Sequence, residues 1–301
     1  MGTSSSPSTL AVVVRSFTSA DGTPLRADYY SDSSQPCPPR GVIVVVHGYC
    51  DHRGRYRHVA EHLVQHGYSV LAGDLRGHGE SGGERGFVRR FGDYLDDLSA
   101  FLTEAKAQLA QAMAANPSAS PPRQPVLVAH SMGALVGLAY VLAHPDAFRV
   151  LALSSPFMGV KQHVPAWKRA LGLTASLMHP TLRLPNGLSE NDVSHDPQTR
   201  QGYKTDPLVT HDATARWFTE TMATQADVRT RAGRIRTPTL MLHAGDDRIV
   251  DAAASQAVFS RIGASDKNLT FYPGLYHEIF NELPADRQRV LNDLTTWLKD
   301  R

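Results

Sequence analysis

The stretch Val126-Leu127-Val128-Ala129-His130-Ser131-Met132-Gly133 constrains the fold more than any other part of the chain. An apolar run of strand character stops at a serine, and the sequence continues at once as Ala134-Leu135-Val136-Gly137-Leu138, which suits a buried helix. Small residues at Ala129 and Gly133 let the strand and helix backbones pass closely, so the chain can turn sharply with Ser131 at the apex. A serine so placed sits at a helix N-terminus, where unpaired N–H groups and the helix dipole favour developing negative charge. Two readings fit the octapeptide alone: a projecting nucleophile, or a serine that merely caps the helix.

Around this turn, apolar runs and amphipathic stretches alternate. Leu10 to Phe17 and Leu25 to Tyr30 flank Asp21-Gly22-Thr23-Pro24 and predict a hairpin. Val42-Ile43-Val44-Val45-Val46 is apolar on both faces, as a buried parallel strand requires. Tyr56, Val59, Ala60, Leu63 and Val64 follow at helical spacing, then a short strand from Ser69 to Gly73, then a long amphipathic helix carrying Tyr94, Leu98, Phe101, Leu102, Ala105 and Leu109. A Pro- and Ser-rich connection over 116–125 leads into the serine turn, and a strand near Val150 to Ser154 follows it.

From about Phe157 to Gly233 the rhythm lapses into helical fragments separated by Pro165, Pro180, Pro185, Pro197 and Pro207. It resumes with a strand at Thr239 to His243, a helix from Ala252 to Ile262, a strand at Leu269 to Tyr272 and a last helix with Val290, Leu291, Leu294, Trp297 and Leu298 on one face. The pattern predicts an α/β fold with a mostly parallel central sheet and helices on both faces. A flexible tail would span 1–9, a core 10–156 and 234–301, and a helical insert 157–233.

The formal net charge is +2, with acids and bases interspersed, so no electrostatic footprint for nucleic acid is present. No zinc spacing appears, and no metal or organic cofactor is expected. The two cysteines, Cys37 and Cys50, are too few for a disulfide framework and read as reduced thiols of a cytosolic protein. The N-terminus lacks a basic region, Leu10 to Val14 is too short for a signal core, and no run reaches membrane-spanning length. A cytoplasmic protein, with peripheral contact at membranes left open, is the expectation; oligomeric state is not readable.

A serine hydroxyl becomes a useful nucleophile only when a histidine takes its proton and a carboxylate fixes that histidine's tautomer. Strand 239–243 is followed by Ala244-Gly245-Asp246-Asp247-Arg248-Ile249-Val250, and strand 269–272 by Pro273-Gly274-Leu275-Tyr276-His277-Glu278. Both loops lie beyond the C-terminal ends of strands, in the order serine, acid, histidine. Either Asp246 or Asp247 could be the acid, and His277 is one of 14 histidines.

His47-Gly48-Tyr49 with Arg55-Tyr56, Asp74 to Ser81, His130-Ser131-Met132-Gly133, Asp247-Arg248-Ile249-Val250 and Tyr276-His277-Glu278 resemble the α/β-hydrolase superfamily, in its monoacylglycerol lipase and lysophospholipase branch, also described as serine aminopeptidase-like. The insert is similar to that branch's lid, down to Tyr203-Lys204-Thr205-Asp206-Pro207-Leu208. Ala129 stands where relatives usually carry the first glycine of the turn, and Cys50-Asp51 where they often carry glycine and glutamate.

The resemblance implies a serine hydrolase acting on the ester of a monoacylglycerol or similar single-chain lipid. Its alternatives are a lysophospholipase, a broad carboxylesterase, or a silent fold used as a ligand-binding protein. Ser131 would be the nucleophile, His277 the base, and Asp247 rather than Asp246 the acid, with Asp251 capping the next helix. Backbone N–H groups of Tyr49 and Met132 would form the oxyanion hole. His47, His130 and the Asp74 to Ser81 loop are read as structural.

Phe157, Met158, Val164, Trp167, Leu171, Leu173, Leu177, Met178, Leu182 and Leu184, interleaved with Lys161, Lys168, Arg169 and Arg183, admit two expectations. One is a lid packed on its core with a solvated basic face. The other is an acyl-chain tunnel whose outer surface touches lipid.

Overall fold

The computed structural model describes residues 9–35, 37–38, 40–118, 120–122, 124–161 and 166–301. Residues 1–8 of the expected tail, Ala119 and Arg123 of the connection, and Val164 and Pro165 of the insert lie outside the described residues, as do the side chains of Lys168 and Arg169.

The expected hairpin forms from β1 (Leu10–Thr18) and β2 (Pro24–Asp32). After it come β3 (Val42–Val46), α1 (Arg57–Gln65), β4 (Ser69–Asp74), α2 (Gly92–Ala115), β5 (Val126–His130), α3 (Met132–Ala143) and β6 (Val150–Ser154). The next segment holds α4 (Ala166–Met178), β7 (Arg183–Pro185), α5 (Glu190–Val193), α6 (Pro197–Thr205), β8 (Asp212–Thr214) and α7 (Ala215–Arg231). The alternation then resumes with β9 (Thr239–Ala244), α8 (Ala252–Arg261), β10 (Lys267–Tyr272) and α9 (Pro284–Leu298).

Eight strands form one sheet in the order β1-β2-β4-β3-β5-β6-β9-β10. β2 pairs antiparallel with β1 and β4, and the other neighbouring pairs are parallel. The period-two alternation of the strands splits the core. Leu127 and Ala129 of β5 join Leu98 and Phe101 of α2 and Leu135 and Leu138 of α3 on one face. Val126 and Val128 meet Val59 and Leu63 of α1 and Leu291 and Leu294 of α9 on the other. Both faces of the central strands are thus buried, which is why their sequences are apolar throughout. The parallel strands deliver their following loops to one edge, and the serine turn, the acid loop and the histidine loop meet there.

The segment between β6 and β9 departs from the expected run of helical fragments, because β7 and β8 pair antiparallel, Arg183 with Thr214 and Pro185 with Asp212. Strands of three residues carry too little periodicity to be read from sequence. α4 lies on α7 through small residues: Ser176 Oγ is 2.8 Å from Thr219 Oγ1, and Gly172 faces the Phe218 ring. Met158 is buried and Phe157 packs on the core. Leu171, Leu177 and Met178 instead stand 61%, 74% and 70% exposed. Packing against the core therefore does not account for the apolar side chains of α4. Among the described residues no helix is long and apolar enough to cross a membrane.

Candidate active site

Ser131 has φ 52° and ψ −114°, a conformation that costs a residue with a side chain about 1–3 kcal/mol. Hydrogen bonds hold it there. Its N–H donates to Ser154 O at 2.9 Å, and its carbonyl accepts from Ala134, Leu135 and Phe157 at 3.1, 3.2 and 3.1 Å. Two residues on, a Cβ at Gly133 would lie 2.5 Å from His47 O and 2.6 Å from Val46 O, so only glycine lets α3 pass β3. Ala129 is tolerated because its methyl group is absorbed by the core. The Ser131 side chain makes no capping bond to the helix. Its Oγ lies 3.0 Å from His277 Nε2 instead, which removes the capping reading.

The other face of the His277 ring meets Asp247, with Nδ1 and Oδ2 2.7 Å apart. The second oxygen of Asp247 accepts from Ile249 N at 2.9 Å and Val250 N at 2.8 Å. That carboxylate only accepts, so Nδ1 carries the ring proton and Nε2 is left to accept from the serine hydroxyl. Burial alone would pull the His277 pKa down, but the charge and hydrogen bond of Asp247 outweigh it and raise the ring above its ordinary 6.5. Burial pushes Asp247 the opposite way, and the His277 charge and hydrogen bond hold it below its ordinary value. Asp246 points to solvent, its backbone N–H bonding Leu275 O at 3.0 Å. Asp251 caps α8 as expected, accepting from Ala253 N at 3.0 Å.

The His130 ring lies 4.7 Å from the His277 ring, tilted 53° to it, and bonds Ser154 Oγ at 3.1 Å; burial lowers its pKa to about 3, so it stays neutral. His47 anchors a loop, accepting from Leu75 N at 3.0 Å and donating to Gly48 O at 2.6 Å. In the Asp74 to Ser81 loop the Asp74 carboxylate accepts from Arg53 N at 2.7 Å and Glu80 N at 2.9 Å, while Ser81 Oγ donates to Asp74 O at 2.6 Å. It is a closed, self-bonded turn. Met132 opens α3, where the first amides have no partner within the helix. Tyr49 follows Gly48, where a Cβ would come within 3.2 Å of the Ser131 Cβ.

One buried cluster joins residues that the sequence reading quoted only as motif positions, without a role. The Arg55 guanidinium bonds Asp51 at 3.0 Å and Glu278 at 3.0 and 2.6 Å, and Tyr56 OH donates to Asp51 at 2.7 Å. This network braces the residue next to His277 and contributes negative charge that supports the raised pKa of the ring. The i,i+4 spacing of Asp51 and Arg55 was readable as a pair. Glu278, from a loop more than two hundred positions away, was quoted only as the neighbour of His277, with nothing to pair it with Arg55.

The family described as serine aminopeptidase, S33, matches residues 37–284. The chain belongs to the S33 family. A monoacylglycerol lipase of Mycolicibacterium smegmatis is 33% identical to this S33 chain, the match covering 86% of this chain and 88% of that protein. Phospholipase YtpA of Bacillus subtilis is 32% identical, over 81% of this chain and 90% of that protein. Among solved structures, the monoacylglycerol lipase of Paleococcus ferrophilus superposes with a TM-score of 0.77 at 26% identity, covering 96% of this chain and 98% of that one. The S33 core has the α/β-hydrolase fold.

Proposed function

We propose that this S33 protein is a carboxylic ester hydrolase that cleaves monoacylglycerols or similar single-chain lipids through an acyl-enzyme. The observation that carries the reading is the His277 ring, bonded to Ser131 Oγ on one side and to the Asp247 carboxylate on the other. Ser131 Oγ attacks the ester carbonyl carbon while His277 Nε2 takes its proton. The oxygen of the tetrahedral intermediate is received by the N–H groups of Tyr49 and Met132; one such donor is worth about 3 kcal/mol of transition-state stabilisation. The imidazolium then protonates the departing glycerol oxygen. Water, activated by the same histidine, hydrolyses the acyl-serine.

The base must be neutral to act, and Asp247 raises its pKa above 6.5. kcat/KM is therefore expected to fall about tenfold per pH unit on the acid side of a single pKa above 6.5. A pH–rate profile on a soluble ester checks this; an acid limb midpoint below 6 contradicts it.

Residues 157–233 act as a lid. The exposed Leu171, Leu173, Leu177 and Met178 suit contact with a lipid surface, as does exposed Leu184. Each methylene buried beneath the lid contributes roughly 0.8 kcal/mol, which favours medium or long acyl chains over acetyl esters. The names of the Mycolicibacterium and Paleococcus relatives support a monoacylglycerol. A lysophospholipid is the second reading, supported by the Bacillus relative named a phospholipase. The two free, buried thiols, Cys37 and Cys50, support a cytoplasmic location.

Rates across a monoacylglycerol chain-length series, beside a lysophosphatidylcholine and a nitrophenyl acetate, test the substrate class. The highest kcat/KM is expected on a medium or long monoacylglycerol. A preference for the lysophospholipid selects the second reading, and a preference for the acetate overturns both.

A further inference from the structure

One indole touches both residues whose N–H groups are proposed to form the oxyanion hole. Trp217, in the first turn of α7, stacks on the Tyr49 ring with centroids 3.6 Å apart and planes 22° from parallel. Its Nε1–H donates to the Met132 sulfur at 3.3 Å. Phe157 lies parallel to the same indole, centroids 6.4 Å apart and 9° from coplanar, and the Phe157 amide is the group bonded to the Ser131 carbonyl at 3.1 Å. Trp217 is itself only 5% exposed.

The far end of Tyr49 is held as well. Its one hydroxyl proton is shared between Gly86 O at 3.1 Å and Asp212 O at 2.9 Å. Thr214, beside that second anchor, donates to the same Gly86 carbonyl at 2.8 Å and caps α7 by accepting from Trp217 N at 3.4 Å. The Tyr49 ring is thus fixed at its face by α7 and at its tip by the loops around Gly86 and Asp212. The backbone it hangs from turns at once, since Cys50 follows with φ 61°.

The geometry points to Trp217 as a positioning residue for the oxyanion hole, a role that rests on the proposed ester hydrolysis and extends it to a residue acting through Tyr49 and Met132. An oxyanion donor works through its direction, because the hydrogen bond strengthens only when the N–H is already aimed at the tetrahedral oxygen. Tyr49 and Met132 sit on different elements, the loop after β3 and the start of α3. A flat, buried ring stacked on one and hydrogen-bonded to the other sets their separation. Because Trp217, Thr214 and Asp212 belong to 157–233, the same contacts tie the seating of that segment to the readiness of the site. With the segment lifted, Tyr49 loses its stacking partner and one hydroxyl acceptor together.

A merely structural Trp217 would change stability and leave the chemistry intact, so the test separates the two. kcat, KM, thermal unfolding and the affinity of an alkylboronic acid are measured for wild type, Trp217→Leu, Trp217→Phe, Tyr49→Leu and the Trp217→Leu/Tyr49→Leu double variant. The boronic acid adds to Ser131 Oγ without a leaving group, and a boron-bound oxygen occupies the oxyanion site.

Trp217→Leu is expected to lower kcat 10- to 100-fold with KM within about twofold, and to weaken the boronic acid by the same factor as kcat/KM. Trp217→Phe keeps the stack but loses the Nε1–H bond to Met132, so its kcat falls between wild type and Trp217→Leu. Tyr49→Leu keeps its backbone N–H yet also lowers kcat, and the double variant loses less than the product of the two single losses, because both single variants remove the same stack. A Trp217→Leu protein with wild-type kcat overturns the proposal, as do losses that multiply in the double variant. Should Trp217→Leu not fold, Tyr49→Leu with full kcat overturns it. A wild-type protein inactive on every ester would instead refute the hydrolase reading, a result distinct from an active wild type with an indifferent Trp217.

Discussion

Ser131→Ala lowers kcat for ester hydrolysis by on the order of 10⁵ to 10⁶, leaving KM nearly unchanged. The prediction follows from what Oγ does and does not touch. Its hydrogen-bond partner is His277, at 3.0 Å, and the strained turn is held by the backbone bonds of Ser131 to Ser154, Ala134, Leu135 and Phe157, which an alanine retains. The variant therefore folds, with a thermal midpoint close to wild type. The two serines at the C-terminal end of β6 are already engaged elsewhere. Ser154 Oγ is engaged by His130 at 3.1 Å, and Ser155 Oγ accepts from Ala244 N at 3.3 Å. Steady-state rates beside a melting curve check the prediction; loss of activity together with loss of fold would not meet it.

Asp247→Asn is expected to cost about 10⁴ in kcat while Asp246→Asn changes it by less than about twofold. The asparagine carbonyl can keep the two bonds now made by Ile249 N and Val250 N. Its NH₂ group then faces His277 Nδ1 and donates to it, which moves the ring proton to Nε2. That tautomer cannot accept from Ser131. The charge of Asp247 that raises the His277 pKa is also lost, so burial is less opposed and the pKa falls. The acid limb of the residual pH–rate profile therefore shifts to lower pH as the plateau drops. Asp246 lies in solvent, and its bond to Leu275 runs through the backbone, so the side chain has nothing to lose.

The contrast between those two aspartates shows what the sequence could carry. A serine turn flanked by small residues, and two later loops in fixed order, are local patterns that made Ser131 and the two loops legible, while the choice of Asp247 over Asp246 and of His277 rested on the family resemblance. The buried strands were legible because apolar runs have few other places to go. The Arg55, Asp51 and Glu278 cluster was legible at most in its Asp51 and Arg55 pair, since Glu278 comes from a distant loop and shares no period with them. The direction of Leu171, Leu177 and Met178 was equally hidden: an amphipathic helix declares an apolar face, but what covers that face is decided by neighbours. Trp217 had no place in the sequence reading. Its importance depends on the Tyr49 ring and the Met132 sulfur, which approach it from two other elements.

Intact-mass analysis with peptide mapping, after brief exposure to a fluorophosphonate, tests the central claim most directly. The account predicts a single adduct on the Ser131 peptide, absent in Ser131→Ala and formed far more slowly in Asp247→Asn. A protein that takes no label, or takes it on another residue at an unchanged rate in Ser131→Ala, would contradict it.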